Sequence, residues 1–126
     1  MARGYENFKD IPLEEGFNFL HVKLRKGVSL MYEDIKIWID FKRLKVFKKS
    51  LKCVYCGLEG NIFRIQKSGN LGWHLNLWRI DKKIKRLFTL DHIIPKSLSH
   101  DNRISNLQTC CEKCNTKKGS VYINLN

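Results

Sequence analysis

The sequence predicts a small α+β fold, on three observations. Short apolar runs alternate with Gly/Asn turn residues between Ile62 and Ile80, which is hairpin grammar. Two Cys-x-x-Cys pairs, Cys53/Cys56 and Cys111/Cys114, bracket that hairpin. The second pair opens a stretch of helical spacing that closes at Gly119.

A chain of 126 residues is one domain by default, and at this length a covalent or metal staple helps a modest core. We divide residues 1–126 into an N-terminal extension, 1–52, and a cysteine-bracketed core, 53–119. Residues 1–30 mix charged and apolar side chains without a period and support no functional assignment. Between Met31 and Ser50 two periods compete. Ile35, Ile37, Ile39 and Phe41 alternate as a strand does, while Ile35, Trp38, Ile39 and Lys42, and again Phe41, Leu44 and Lys45, recur at helical spacing. Length and the lack of internal turn residues favour an N-terminal helix over 31–50. Its C-terminal part, continuing to Lys52, carries Lys42, Arg43, Lys45, Lys48 and Lys49. Cations there suit the helix dipole, and they equally suit a phosphate-contacting face.

Cys53 to Gly57 reads as a metal-binding knuckle. Strands follow at Ile62–Gln66 and Trp73–Ile80, parted by Lys67-Ser68-Gly69-Asn70. Asp81 to Arg86 reads as a turn into a strand from Leu87 to Asp91, and Lys96 to Ser105 as a polar loop. A short strand, Leu107–Thr109, precedes a helix starting near Cys111 and capped by Gly119. Val121, Tyr122 and Ile123 are expected to pack back from the tail.

Lysine and arginine number 24 against 12 acids, a formal charge of +12. Such a surplus attracts polyanions and makes their binding salt-dependent. No stretch approaches the ~20 apolar residues of a membrane span, and Met1 to Glu6 leads into no apolar signal region. The expectation is a cytoplasmic protein, or a phage-encoded one acting in the host cytoplasm.

Four of the five cysteines fall into the two pairs, which fits zinc in a reducing compartment better than a disulfide framework. Four thiolates make a closed, structural zinc site with no open coordination position. A redox role is disfavoured because no βαβ pattern surrounds either pair. Cys110 is left over and reads as a small buried hydrophobe. The segment 57–110 is longer than a simple zinc ribbon needs, and it carries Asp91-His92.

That pair suits phosphodiester hydrolysis, which needs an activated water, a cation on the phosphate and positive surroundings. A histidine, with an ordinary pKa of ~6.5, can take a proton from water near neutral pH. Asp91 offers a hard oxygen to magnesium or manganese, and Asn115 can add a carboxamide oxygen. Neighbours on a strand point to opposite faces, so the backbone must bend, or partners wrap round, for both Asp91 and His92 to serve one phosphate. Cys111, Asn115 and Lys118 are spaced so that the helix pinned by zinc presents Asn115 and Lys118 on one face.

His92 next to an acid would in isolation be a surface or capping residue, and Asn106 a turn residue. His100 reads as solvated, and His21 and His74 as structural. Trp73 and Trp78 fit core positions better than base-stacking ones. Arg79, Lys82, Lys83, Lys85 and Arg86 form either a solvated turn or a backbone-tracking patch.

Taken together, Thr89-Leu90-Asp91-His92-Ile93-Ile94-Pro95-Lys96-Ser97, then Asn106-Leu107-Gln108-Thr109, then Cys111-Glu112-Lys113-Cys114-Asn115-Thr116-Lys117-Lys118-Gly119, resemble the HNH endonuclease motif. The resemblance spans residues 53–119. It implies a ββα-metal core round one catalytic divalent cation, Mg2+ or Mn2+, here with a structural Zn2+ site and an inserted β-hairpin. By that likeness His92 is the general base, Asp91 and Asn115 bind the cation, and Asn106 holds the loop that orients His92. Asn115 stands where the family often has its last histidine, making this an HNN version. Lys118 would help neutralise the scissile phosphate. The implied products are 5′-phosphate and 3′-hydroxyl ends.

The expected function is a metal-dependent DNA endonuclease, a hydrolase acting on DNA, with duplex the expected form. The runner-up is a zinc-stabilised nucleic-acid-binding module without cleavage activity. A nucleic-acid-degrading toxin is weakened by the lack of a visible delivery segment. No recognition helix or repeat is evident, so neither base preference nor oligomeric state is legible.

Overall fold

The computed structural model describes residues 4–21, 28–70 and 72–119. They form a mixed α and β structure dominated by one mostly antiparallel sheet. The strands are β1 (Tyr5–Ile11), β2 (Val28–Tyr32), β3 (Ile35–Ile39), β4 (Ile62–Ser68), β5 (Trp73–Ile80), β6 (Lys85–His92) and β7 (Leu107–Cys111). The helices are α1 (Leu13–Phe17), α2 (Phe41–Lys49), α3 (Lys96–Ser99) and α4 (Glu112–Lys118). The tail residues Val121, Tyr122 and Ile123 lie outside the described residues.

The sheet runs β1-β4-β5-β3-β2 and forks at β5. The start of β5 pairs in parallel with β3, Ile37 opposite Trp73, and its end pairs antiparallel with β6, Trp78 opposite Leu87. β6 then leaves the main sheet to pair with β7, from Phe88 opposite Cys111 to His92 opposite Leu107. Arg43 of α2 sits at the fork. Its guanidinium donates to the carbonyls of Leu75 (2.7 Å) and Phe88 (3.3 Å) and to Asn76 Oδ1 (3.0 Å). Backbone acceptors at a diverging ladder would otherwise be costly to bury.

The helix expected over 31–50 is corrected. Only Phe41–Lys49 is helical, and the preceding residues form the β2–β3 hairpin. Two local features decide it. Glu33 takes a left-handed conformation, φ +52°, at the hairpin turn. Asp40 caps α2, its side chain accepting from the Arg43 amide at 3.1 Å, which starts the helix there. Ile37 and Ile39 therefore follow the strand period into the core, and Phe41, Leu44 and Phe47 the helical one.

The core lies between α2 and the inner face of the sheet, where Phe47, Phe63, Ile65, Leu77 and Phe88 are fully buried. It continues without a break into Cys53, Cys110 and Cys111. Gly60 marks a close approach, since a Cβ there would lie 2.7 Å from Leu77. Residues before Cys53 supply three of the seven strands, with β1 hydrogen-bonded to β4 and β3 to β5. The loop expected between Lys96 and Ser105 holds the short α3 and the start of a 3-10 turn at Ile104–Asn106.

Candidate active site and metal centre

Two loops bring the four cysteines together. In the first, the Cys53 amide donates to the Leu58 carbonyl (2.8 Å) and the Gly57 amide to the Cys53 carbonyl (2.9 Å), with Gly57 at φ +78°. The second is the β7–α4 junction, where the Cys114 amide approaches Cys111 Sγ at 3.5 Å. The Sγ atoms of Cys53, Cys56, Cys111 and Cys114 all lie within 4.8 Å of one another. Cys56 and Cys111 are 3.8 Å apart, with no disulfide. A tetrahedron with Zn–S bonds of ~2.3 Å has edges of ~3.8 Å, so the donor set and its spacing could hold zinc. Burial pushes the Cys53 thiol up, but backbone hydrogen bonds at Cys111, Cys56 and Tyr55 overcome it and bring it down to about 6. Burial and the neighbouring thiols push Cys114 up to about 12. Arg86 reaches Cys111 Sγ at 3.8 Å, a cation beside the sulfurs. Cys110 is fully buried beneath them.

Strand β6 ends in Asp91 and His92, and their surroundings differ. Asp91 is buried, 6 % exposed. Its Oδ2 accepts from the Tyr55 hydroxyl (3.0 Å), from Gln108 Nε2 (2.9 Å) and from Lys118 Nζ (2.8 Å), while Oδ1 accepts from Lys118 alone (3.0 Å). Lys118 is equally buried, and its third N–H donates to the His92 carbonyl at 3.0 Å. All three ammonium hydrogens are therefore engaged, and the group reaches a phosphate only by changing partners. Burial, the strongest single influence, would lower the Lys118 ammonium, but hydrogen bonds and charge attraction from Asp91 and Tyr55 together outweigh it and raise it. Burial raises the Tyr55 phenol, so it faces Asp91 as a neutral donor.

His92 is half-buried and held from the loop side. Its Nε2 lies 2.7 Å from Asn102 Oδ1. A carboxamide oxygen can only accept, so opposite it Nε2 donates, and in the neutral ring Nδ1 then keeps the lone pair. Lys42 Nζ binds the Asn102 carbonyl at 2.7 Å and fixes that residue's backbone. Asn106 closes the loop from beneath. Its Oδ1 accepts from the Ile94 amide (2.9 Å), and its Nδ2 donates to the carbonyls of Ile94 (3.2 Å) and Asp101 (2.7 Å). Its own carbonyl accepts from the Ile93 amide at 2.9 Å. Within the loop, Asp101 is held down to about 2 by the Arg103 guanidinium and amide.

Asn115, on α4, lines the same cavity as Asp91. Its Nδ2 donates to Thr89 Oγ1 (2.9 Å), and that hydroxyl donates to the Cys110 carbonyl (3.3 Å). The hydroxyl hydrogen is thus committed elsewhere, and the amide must present its NH2 to Thr89. No donor among the described residues meets Asn115 Oδ1. A cavity of about 240 Å3 lies here, lined by Asp91, His92, Pro95, Lys96, Asn115 and Lys118. With a water occupying ~30 Å3, it has room for a hydrated cation and a phosphate oxygen.

The structure thus brings Asp91, His92, Asn115 and Lys118 round one cavity and places Asn106 behind it. Sequence reasoning missed Asn102, Tyr55, Gln108 and Thr89. Gln108 sits directly opposite Asp91 across the β6–β7 ladder, so the strand register could have found it. Tyr55, inside the first cysteine pair, and Asn102, in the loop, carried no spacing signal. Among the basic residues, Arg79 pairs with Asp81, Lys82 and Lys83 lie on the exposed turn, and Lys85 and Arg86 line a separate groove.

Residues 80–122 match the family model of the HNH endonucleases. The matched segment runs from the last residue of β5 through β6, the His92 loop, β7 and α4, and so contains the whole cavity lining. The match points to a nuclease acting on nucleic acid. No curated protein and no solved structure matches the chain. Among the described residues no helix is long and apolar enough to cross a membrane.

Proposed function

We propose that this protein is a divalent-metal-dependent DNA endonuclease of the HNH type, with β6, β7 and α4 as its ββα-metal unit and zinc in the four-cysteine site. The single observation that carries the reading is the shared cavity. A candidate base whose Nδ1 meets no partner among the described residues lines the same cavity as two oxygen donors, Asp91 Oδ1 and Asn115 Oδ1, at the helix that carries Cys114.

Two hard oxygens facing a polar cavity fit Mg2+ or Mn2+. A bound divalent ion would neutralise charge building on the scissile phosphate and on the leaving 3′ oxygen. The chain's own residues do the rest. Asn102 holds His92 as the Nε2–H tautomer, so Nδ1 takes the proton from the attacking water. Asn106 keeps the loop closed and so fixes the approach of His92. Tyr55 and Gln108 orient the Asp91 carboxylate so that Oδ1 is the oxygen left to bind. Lys118 balances that carboxylate until the cation and the phosphate arrive, and can then turn to the phosphate.

Supercoiled plasmid DNA with Mg2+ or Mn2+ tests the reading. Nicking or cutting is expected, stopped by EDTA and abolished in His92→Ala, whose DNA affinity stays close to the parent's. Zinc-loaded, folded protein that leaves plasmid and short duplexes intact from pH 6 to 9 sinks the enzyme reading and favours the binding module.

A further inference from the structure

A larger concave surface lies away from the catalytic cavity, on the outer face of the sheet. It is a groove of about 580 Å3 between β1, β4, the end of β5, the start of β6 and the first turns of α4. Four cations line it, Arg64, Lys85, Arg86 and Lys113, against one carboxylate, Glu112. Arg64 is held by Asp10 (2.7 Å) at the rim, and Arg86 leans on the cysteine cluster. Lys85 and Lys113 are exposed and make no ion pair among the described residues.

The floor is rigid. Gln66, 3 % exposed, accepts at Oε1 from Asn76 Nδ2 (2.9 Å) and Trp78 Nε1 (2.8 Å) and donates to Asn7 Oδ1 (2.6 Å). The Arg64 guanidinium covers the Trp78 ring at 5.4 Å. That face is therefore closed to a stacking base, and the groove offers cations and amides, which suit phosphates rather than bases.

We propose that this groove binds the sugar–phosphate backbone of the substrate DNA beside the cleavage site. The inference rests on the nuclease reading for its substrate and adds where that substrate runs. The spacing fits. Lys85 precedes Asp91 by six strand residues, or ~20 Å at ~3.3 Å each, and Lys113 precedes Lys118 by five helical residues, or ~8 Å at ~1.5 Å each. With ~3.4 Å of axis per nucleotide on one strand, the two lysines meet phosphates about two to six nucleotides from the scissile bond.

The test compares Lys85→Ala/Lys113→Ala with its parent, both carrying His92→Ala so that DNA survives. Binding to a fluorescent duplex of twenty base pairs is read by anisotropy across a salt series. Each phosphate contact contributes roughly 0.9 log unit at 0.1 M salt, so the double variant should bind about 60-fold more weakly with a salt slope lower by about two. In the cleaving background the same pair should raise KM far more than it lowers kcat. Duplexes too short to reach the groove should show no difference between variant and parent. Lys82→Ala/Lys83→Ala, on the neighbouring turn, controls for mere loss of charge. Affinity within about threefold of the parent at 0.1 M salt, or an equal loss in the control pair, overturns the groove. A parent that does not bind the duplex overturns it as well. A protein that binds through these lysines yet never cleaves would keep the groove and remove the nuclease reading.

Discussion

Lys118 offers the sharpest test of whether Asp91 is held ready for a cation. Lys118→Met keeps the apolar stem and removes the ammonium. Across 2.8 Å, the attraction at an effective dielectric near 20 is ~6 kcal/mol, and desolvation of both groups offsets much of it. Breaking a buried pair by removing one partner costs ~3–5 kcal/mol. Tyr55 and Gln108 still donate to the carboxylate, so the low end applies, ~3 kcal/mol. For a chain of this length that is about 12 °C in Tm. The Lys118 shift is upward, so the stability its charge lends is fully present below the ordinary lysine value and lost only as pH rises past it. The measurement therefore belongs at neutral pH.

The decisive arm adds metal. With its counter-charge gone, Asp91 in Lys118→Met should accept Mg2+ more readily than in the parent, where the ion competes with an ammonium. Magnesium at about a hundred times its Kd should restore ~2.7 kcal/mol, nearly the whole loss. Asp91→Asn/Lys118→Met should be more stable than Lys118→Met alone and should not respond to Mg2+. Thermal melts of zinc-loaded protein read all of this. Equal stabilisation of the single and double variants by Mg2+ would place the ion elsewhere, and a Lys118→Met variant as stable as the parent would refute the pair's energetic role.

Two more perturbations separate positioning from chemistry. Asn102→Ala should lower kcat about tenfold, the order of one hydrogen bond, with KM and Tm near the parent's. Asn102→Asp should move the acid limb of the pH–rate profile to higher pH, because a carboxylate at Nε2–H favours the imidazolium, which cannot act as base; an unmoved profile would leave Asn102 without a role at His92. Cys56→Ser should lower zinc content and Tm together, by metal analysis and thermal melts, and native protein with zinc near zero would overturn the four-thiolate site.

Legibility followed the range of each interaction. The cysteine cluster, the β4–β5 hairpin and the cap at Gly119 rest on local spacing and turn chemistry, and they appear where the sequence placed them. Residues 31–50 failed because two periods overlap in one stretch. What separates them is a left-handed Glu33 and a cap at Asp40, and neither is a glycine or proline to announce itself. The fork at β5 was out of reach, since it depends on Arg43 meeting carbonyls 32 and 45 residues away. In the candidate site, spacing located Asp91, His92 and Asn115 round a cavity. It could not show that the Asp91 carboxylate is already met by Lys118, Tyr55 and Gln108, because each comes from a different element.

Those elements explain what a metal at the four cysteines would contribute to a cavity lined by a few polar residues. Helix α4 has seven residues, well under the ~12–15 at which an isolated helix becomes even marginal. Cys111 at its cap and Cys114 in its first turn place it in the cysteine cluster. The next residue, Asn115, donates to Thr89, and Lys118 one turn on meets Asp91. The other half of the cluster does the same from the opposite side, since Tyr55 lies between Cys53 and Cys56 and reaches Asp91 from there. Val54 in that loop also donates to the Thr109 carbonyl, which ties the loop to β7 (3.0 Å). The acid end of β6 is therefore gripped by two loops whose cysteines meet in one sulfur cluster. A hydrophobic contact could hold α4 against the sheet, but it would not set the rotation that points Asn115 at Thr89. Four directed bonds to one ion would, and they would leave the cavity itself free of apolar packing.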